Sequence, residues 1–172
     1  MLNAQQILDE GLLKLETTQG KPAQVGYDLT LKSVNQVGGR FGLIDQKIGK
    51  VLKDSTELTN YTPFPTIQLD GVSGWLLHSG VYDITFNEGC KLPANRVAFI
   101  KQRSSLYRNG AIINIPVFDP GFETENMGTL LYVHETLFIE ENARVAQIYF
   151  HECEAAELYN GQWQGDIQRT QQ

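Results

Sequence analysis

Between Arg103 and Phe122 the chain reads RSSLYRNGAIINIPVFDPGF, a stretch that holds a guanidinium, two hydroxyls, a run of β-formers and a carboxylate on a turn. Arg103, Ser104 and Ser105, with neighbouring backbone N–H groups, have the donors to hold an anion. Asp119, set rigidly by Pro120-Gly121, has the type and placement to orient or deprotonate a water. Taken singly, such residues more often solvate turns or satisfy local backbone. Asp28, inside VGYDLTL, is a further candidate as a ligand for a metal or water, although a strand carboxylate usually points at solvent.

The elements that must position these groups follow from periodicity. Ile112, Ile113, Ile115, Val117 and Phe118 lack a helical period, and Pro116 would break a helix, so a strand is expected from Ile112 to Phe118. Asn109-Gly110 and Asp119-Pro120-Gly121 read as turns at its two ends. Upstream, Ile7, Leu8, Gly11, Leu12 and Leu15 recur at helical spacing behind Asn3, a plausible N-cap, and predict a short helix over 4–14. Val25–Leu31, Phe41–Ile44, Gly74–His78, Val81–Phe86, Arg96–Lys101, Gly128–His134, Thr136–Ile139 and Arg144–His151 read as strands, with a long polar connection over 47–65. About ten short strands with one helix imply an antiparallel sandwich or barrel. One domain over 1–158 is expected, followed by a flexible tail from Tyr159, YNGQWQGDIQRTQQ, with no apolar face.

Composition excludes several functions. With 172 residues, 41% hydrophobic and 20% charged, the chain can bury a sizeable core. Its net charge of −6 offers no basic face for nucleic acid, so an anionic ligand must be small and held locally. No stretch reads as a signal peptide or membrane span. Two cysteines, Cys90 and Cys153, are too few for a disulfide framework, and a cytoplasmic setting is expected. Asn60-Tyr61-Thr62 matches a glycosylation acceptor and is read as chance. A zinc nucleobase deaminase needs a Cys-x-x-Cys pair, which is missing. His134-Glu135 and His151-Glu152 open like zincin motifs, but Phe138 and Ala155 stand where the second histidine belongs. Neither a P-loop nor GxGxxG is present.

Across most of the chain, ILDEGLLKL, VGYDLTL, SGVYDITFNEGCKLP, RSSLYRNGA, VFDPGF, RVAQIYF and YNGQWQGD follow one another in an order that resembles the trimeric dUTP diphosphatases and the related dCTP deaminases. The deaminase-like branch of dUTP diphosphatases often seen in archaea is the most similar, through DLTL, VFDPGF, LLYVH and the YNGQWQG tail. The resemblance implies an all-β, distorted jelly-roll (β-clip) barrel, a homotrimer with sites at subunit interfaces, and Mg²⁺ on the substrate triphosphate. It implies that Asp119 activates the attacking water, and that Arg103, Ser104, Ser105 and Gln147 contact phosphate. Asp28 is implied near the magnesium, through water; Phe122 beside the sugar or base; and Tyr159, Trp163 and Gln164 in a tail that closes over the nucleotide.

The activity so implied is hydrolysis of dUTP to dUMP and pyrophosphate. Uracil would be selected by backbone hydrogen bonds along Ile112 to Phe122. Three deaminase charges are replaced: by register Tyr132 stands at the proton-shuttling glutamate, Val117 at the arginine before DPG, and Gln162 at the tail lysine. Tyrosine is a poor proton shuttle near neutral pH. A different alignment around 123–127 would offer Glu135 as the acid. Deamination of dCTP and a non-catalytic nucleotide-binding relative are the alternatives.

Overall fold

The protein is described here by a computed structural model, which describes residues 1–15, 20–37, 42–43, 51–52, 61–154 and 157–161. In chain order these form α1 (Ala4–Asp9), β1 (Leu13–Lys14), β2 (Tyr27–Val37), β3 (Gly42–Leu43), β4 (Val51–Leu52), β5 (Tyr61–Pro63), β6 (Ile67–Leu69), β7 (Val72–Leu77), β8 (Gly80–Phe86), β9 (Gly89–Lys91) and β10 (Arg96–Gln102). There follow α2 (Ser104–Arg108), β11 (Ala111–Ile113), β12 (Val117–Phe118), β13 (Glu123–Thr124), β14 (Gly128–Val133), β15 (Leu137–Glu140) and β16 (Arg144–Glu152). No described helix is long and apolar enough to cross a membrane.

The largest sheet runs β11-β14-β8-β2-β16-β10-β12, with β5 also paired to β2. β15-β7-β6 and β1-β9-β13 form two smaller sheets, and every paired strand runs antiparallel to its neighbour. The all-β expectation therefore holds. Alternation explains the core: on β14, Thr129, Leu131 and Val133 are buried, while Gly128, Leu130 and Tyr132 face outward. Leu29, Leu77, Phe86, Ile100, Ile148 and Phe150 are fully buried at the centre.

Four expectations change. The N-terminal helix ends at Asp9 rather than residue 14, because Gly11 takes a left-handed φ of 63° and Leu13–Lys14 pairs with Gly89–Cys90. Its start is as expected, with Asn3 and Gln6 in a reciprocal capping box. The single strand over Ile112–Phe118 is two, β11 and β12: the first follows β14 as far as the Asn114 N–H to the Leu130 carbonyl, Pro116 has no N–H to continue a ladder, and the second pairs with β10 instead. Arg103 is the N-cap of a short helix, α2, whose first turn holds Ser104 and Ser105. The polar connection over 47–65 contains β5, laid along β2. Phe41 and Ile44, ends of one expected strand, lie outside the described residues.

The start of the chain is clamped to the sheet. The Leu2 N–H bonds the Phe150 carbonyl at 2.9 Å, and Arg96 makes two bonds to Glu10, at 2.9 and 3.0 Å. Since Arg96 is buried on β10, this pair ties α1 to the strand that carries Arg103 at its other end.

Candidate active site

Three sequence-predicted residues meet on one face of the large sheet. Register sets Lys101 opposite Gln147 and Gln147 opposite Asp28, a row across β10, β16 and β2. Arg103 follows Lys101 by two residues and so shares its face. The Gln147 amide donates to Asp28 Oδ1 at 3.0 Å, and Arg103 Nη1 lies 3.5 Å from Asp28 Oδ2. Asp28 is not the solvent-facing carboxylate expected of a strand, for only 5% of its surface is exposed.

Two further residues, unforeseen in the sequence, complete the cluster. Arg144 Nη1 donates to Asp28 Oδ2 at 3.0 Å, and the Tyr149 hydroxyl donates to Gln147 Oε1. Arg144 is three residues from Gln147 and would face the opposite side of a regular strand. A bulge restores it: Arg144 opposes Thr30 while Ala146 opposes Leu29, so β16 spends one extra residue there. Tyr149 shared strand alternation with Gln147, the one signal that could have found it. Burial, then the nearby Asp28 charge, raises the Tyr149 hydroxyl above the usual phenol range.

The cluster is cationic on balance, with two guanidiniums sharing one carboxylate. Both arginine side chains remain about a third exposed, at 33% and 39%, so each keeps donors facing solvent. Ser104 and Ser105 are exposed in the first turn of α2, which has no side-chain cap at Arg103. Beneath the cluster, Glu88 is buried and accepts from the Thr30 N–H and hydroxyl at 2.9 and 2.7 Å. Burial pushes its carboxyl above the usual range, and sequence patterning gave no hint of it.

A protein-held metal does not fit. Among the described residues no three His, Cys, Asp or Glu side chains converge, and both oxygens of Asp28 are taken by nitrogen donors.

Asp119 is elsewhere on the chain. Phe118 opposes Ala98 on β10, so Asp119 lies beside Val97, while Arg103 is at the strand's other end. At about 3.3 Å per residue, the five steps from Ala98 to Arg103 span roughly 17 Å. Asp119 is exposed in a pocket with Val97, Cys153, Glu154, Leu158 and Tyr159. Its turn is rigid: the Gly121 N–H bonds Leu92, Phe122 bonds back to the Asp119 carbonyl, and Tyr159 donates to the Pro120 carbonyl at 2.7 Å. Phe122 is buried between Phe118 and Tyr159, with ring centroids 5.2 Å away on each side. Little of its face is left for a ligand. Trp163, Gln164 and Gln162 lie outside the described residues.

The chain matches the family model described as dCTP deaminase-like over residues 2–153. The chain belongs to that family. Among similar proteins, a deoxyuridine 5'-triphosphate nucleotidohydrolase of Methanocaldococcus jannaschii is 33% identical, over 83% of this chain and 86% of its own. A probable enzyme of the same name from Methanosarcina mazei is 30% identical, over 82% of this chain and 79% of its own. In fold, the chain is similar to a 2'-deoxycytidine 5'-triphosphate deaminase from Agrobacterium tumefaciens, with TM-score 0.60 and 19% identity over 87% of this chain and 46% of that one. A dUTPase from EIAV aligns with TM-score 0.50 and 14% identity, over 87% of this chain and 95% of its own. The dUTPase and deaminase folds are thus one architecture here, as the motif order implied.

Tyr132 lies outward on β14, opposite exposed Ile112, and holds no carboxylate. Glu135 is instead packed by Gly110, at the turn that follows α2.

Proposed function

We propose that the chain hydrolyses dUTP to dUMP and pyrophosphate. The observation that carries this reading is the convergence of Arg103, at the end of β10, with Arg144 and Gln147 of β16 around buried Asp28 of β2. Such a group offers fixed donors to a triphosphate and leaves little for a neutral ligand. The archaeal relatives, each about a third identical, carry the same activity in their names.

In this mechanism Arg103, Ser104, Ser105 and Gln147 bind phosphate oxygens, and Asp119 accepts a proton from the water that attacks the α-phosphorus. The new bond is water oxygen to phosphorus; the broken one joins that phosphorus to its bridging oxygen, and pyrophosphate leaves with the electron pair. Phosphoryl transfer asks mostly for positioning and charge stabilisation, so one carboxylate base suffices. Mg²⁺ carried by the triphosphate would offset its charge, and Asp28, its oxygens held by Arg144 and Gln147, would act on it only through water. Uracil is assigned to backbone groups along Ile112 to Phe122, and Tyr159, Trp163 and Gln164 to a closing tail.

Because Asp119 and Arg103 stand at opposite ends of β10, one copy cannot aim both at the same phosphate group. The site is therefore assigned to the junction of copies in a homotrimer, with Asp119 and the arginine cluster from different subunits. A single domain with both cysteines as thiols suits the reducing cytoplasm.

Pyrophosphate release from dUTP, dCTP and dTTP with Mg²⁺ tests the reading, and release from none of them rejects it. Ammonia release from dCTP tests deamination, the second reading, which the family's description favours. With Tyr132 in place of the acid, none is expected.

A further inference from the structure

We propose that Tyr149 is a positioning residue that holds the Gln147 amide in one orientation, so that one N–H stays on Asp28 and the other is presented to phosphate. This rests on the reading above, in which Gln147 touches the triphosphate. An amide has one carbonyl and two N–H donors. The Tyr149 hydroxyl occupies the Gln147 carbonyl, and Asp28 Oδ1 takes one N–H at 3.0 Å. Only the remaining N–H is left to serve a ligand. The carbonyl, which would repel phosphate, is turned away and covered.

The tyrosine can do this because its own ring is held. Ladder order places it opposite Phe99 on β10, and on the other side it lies against Gly26. Gly26 has a φ of 80°, and a Cβ there would come within 3.1 Å of the Tyr149 ring and 2.3 Å of the Ile148 carbonyl. The absent side chain lets backbone close on the ring. Burial together with the Asp28 charge keeps the hydroxyl protonated, so it remains a donor throughout the neutral range.

The consequence is a chain of orientation. Arg144 and Arg103 fix Asp28, Asp28 and Tyr149 fix Gln147, and Gln147 meets the nucleotide with its entropy already spent. Tyr149 itself touches no substrate.

Tyr149→Phe removes the hydroxyl and keeps the ring. With dUTP, KM should rise about 5- to 10-fold while kcat stays within about 2-fold, the pattern of lost uniform binding. Gln147→Ala should cost at least as much, and the double variant should match Gln147→Ala alone. An unchanged KM in Tyr149→Phe overturns the proposal, as does a further loss on the Gln147→Ala background, which would place the hydroxyl on the substrate. A joint fall of kcat and Tm also overturns it, since that marks general loosening. The nucleotide-free protein supplies a second readout. The Gln147 side-chain amide resonances, assigned by their loss in Gln147→Glu, should shift in Tyr149→Phe; unmoved signals overturn the orienting role. A wild-type chain inactive on dUTP rejects the hydrolase reading, and the amide resonances still decide whether Tyr149 holds Gln147.

Discussion

The two ends of β10 are built on different terms. At Arg103 the side chains are interlocked before any ligand arrives: a buried carboxylate on β2 collects Arg103 from the end of β10 and Arg144 and Gln147 from β16. At the other end Asp119 stands exposed, and its precision comes from backbone bonds around the Pro120-Gly121 turn. One end handles charge and needs partners of opposite sign to keep cations packed together. The other presents a lone carboxylate and needs only a fixed direction. Two parts of one strand are thus made rigid by different means, side-chain pairing at one end and turn backbone at the other.

Removing the acid is the sharpest way to break this comparison. Asp119→Asn should lower kcat by about 10²- to 10⁴-fold while the Kd for a non-hydrolysable dUTP analogue stays near wild type, read by pyrophosphate release and calorimetry. Arg103→Ala should act on the other side, raising that Kd about 10- to 100-fold through lost charge-assisted bonds. Co-refolding the two variants in equal amounts, assayed with dUTP well below the Kd of Arg103→Ala, should then give about a quarter of wild-type activity, because random assembly pairs an intact acid with an intact cluster in that share of sites. No recovery would mean that both groups act within one copy.

Smaller effects sharpen the contrast in stability. Asp28→Asn should lower the unfolding free energy measured in urea by about 1–3 kcal/mol, since it strips two adjacent arginines of their shared counter-charge; solvent around the partly exposed guanidiniums limits the loss. Glu88 supplies a pH signature. Its raised carboxyl pKa means that the native chain holds the proton more tightly than the unfolded one. Its contribution should be most favourable below the ordinary glutamate value and decline as pH rises through the folded value. Urea melts across that window should show a flatter slope in Glu88→Gln.

Much of the fold was legible because strand alternation and turn residues are local. β8, β10, β14, β15 and β16 fall within a few residues of their expected bounds. The failures have local causes as well. Ser104-Ser105 and Asn109-Gly110 carry turn chemistry, and a five-residue helix between them is too short to show a period. Gly11 was visible, but its left-handed backbone, which ends α1 early, was not. At the site, motif order pointed to Asp28, Arg103 and Gln147. The burial of Asp28 was hidden because Arg144 is 116 residues away and meets it only through strand pairing. Likewise the distance between Asp119 and Arg103 follows from register on β10, which no composition or spacing reveals.

The irregularity in β16 between Arg144 and Ala146 works as a parity bit for the whole constellation. Were Val145 drawn into a regular ladder, Arg144 would move one place along β2 to oppose Leu31, and its guanidinium would pass to the far side of the sheet. Removing Val145 outright would instead leave Arg144 opposite Thr30, two residues from Gln147 and on the same face. A one-residue slip in pairing there would thus rewrite the sign of a surface without altering a single charged residue.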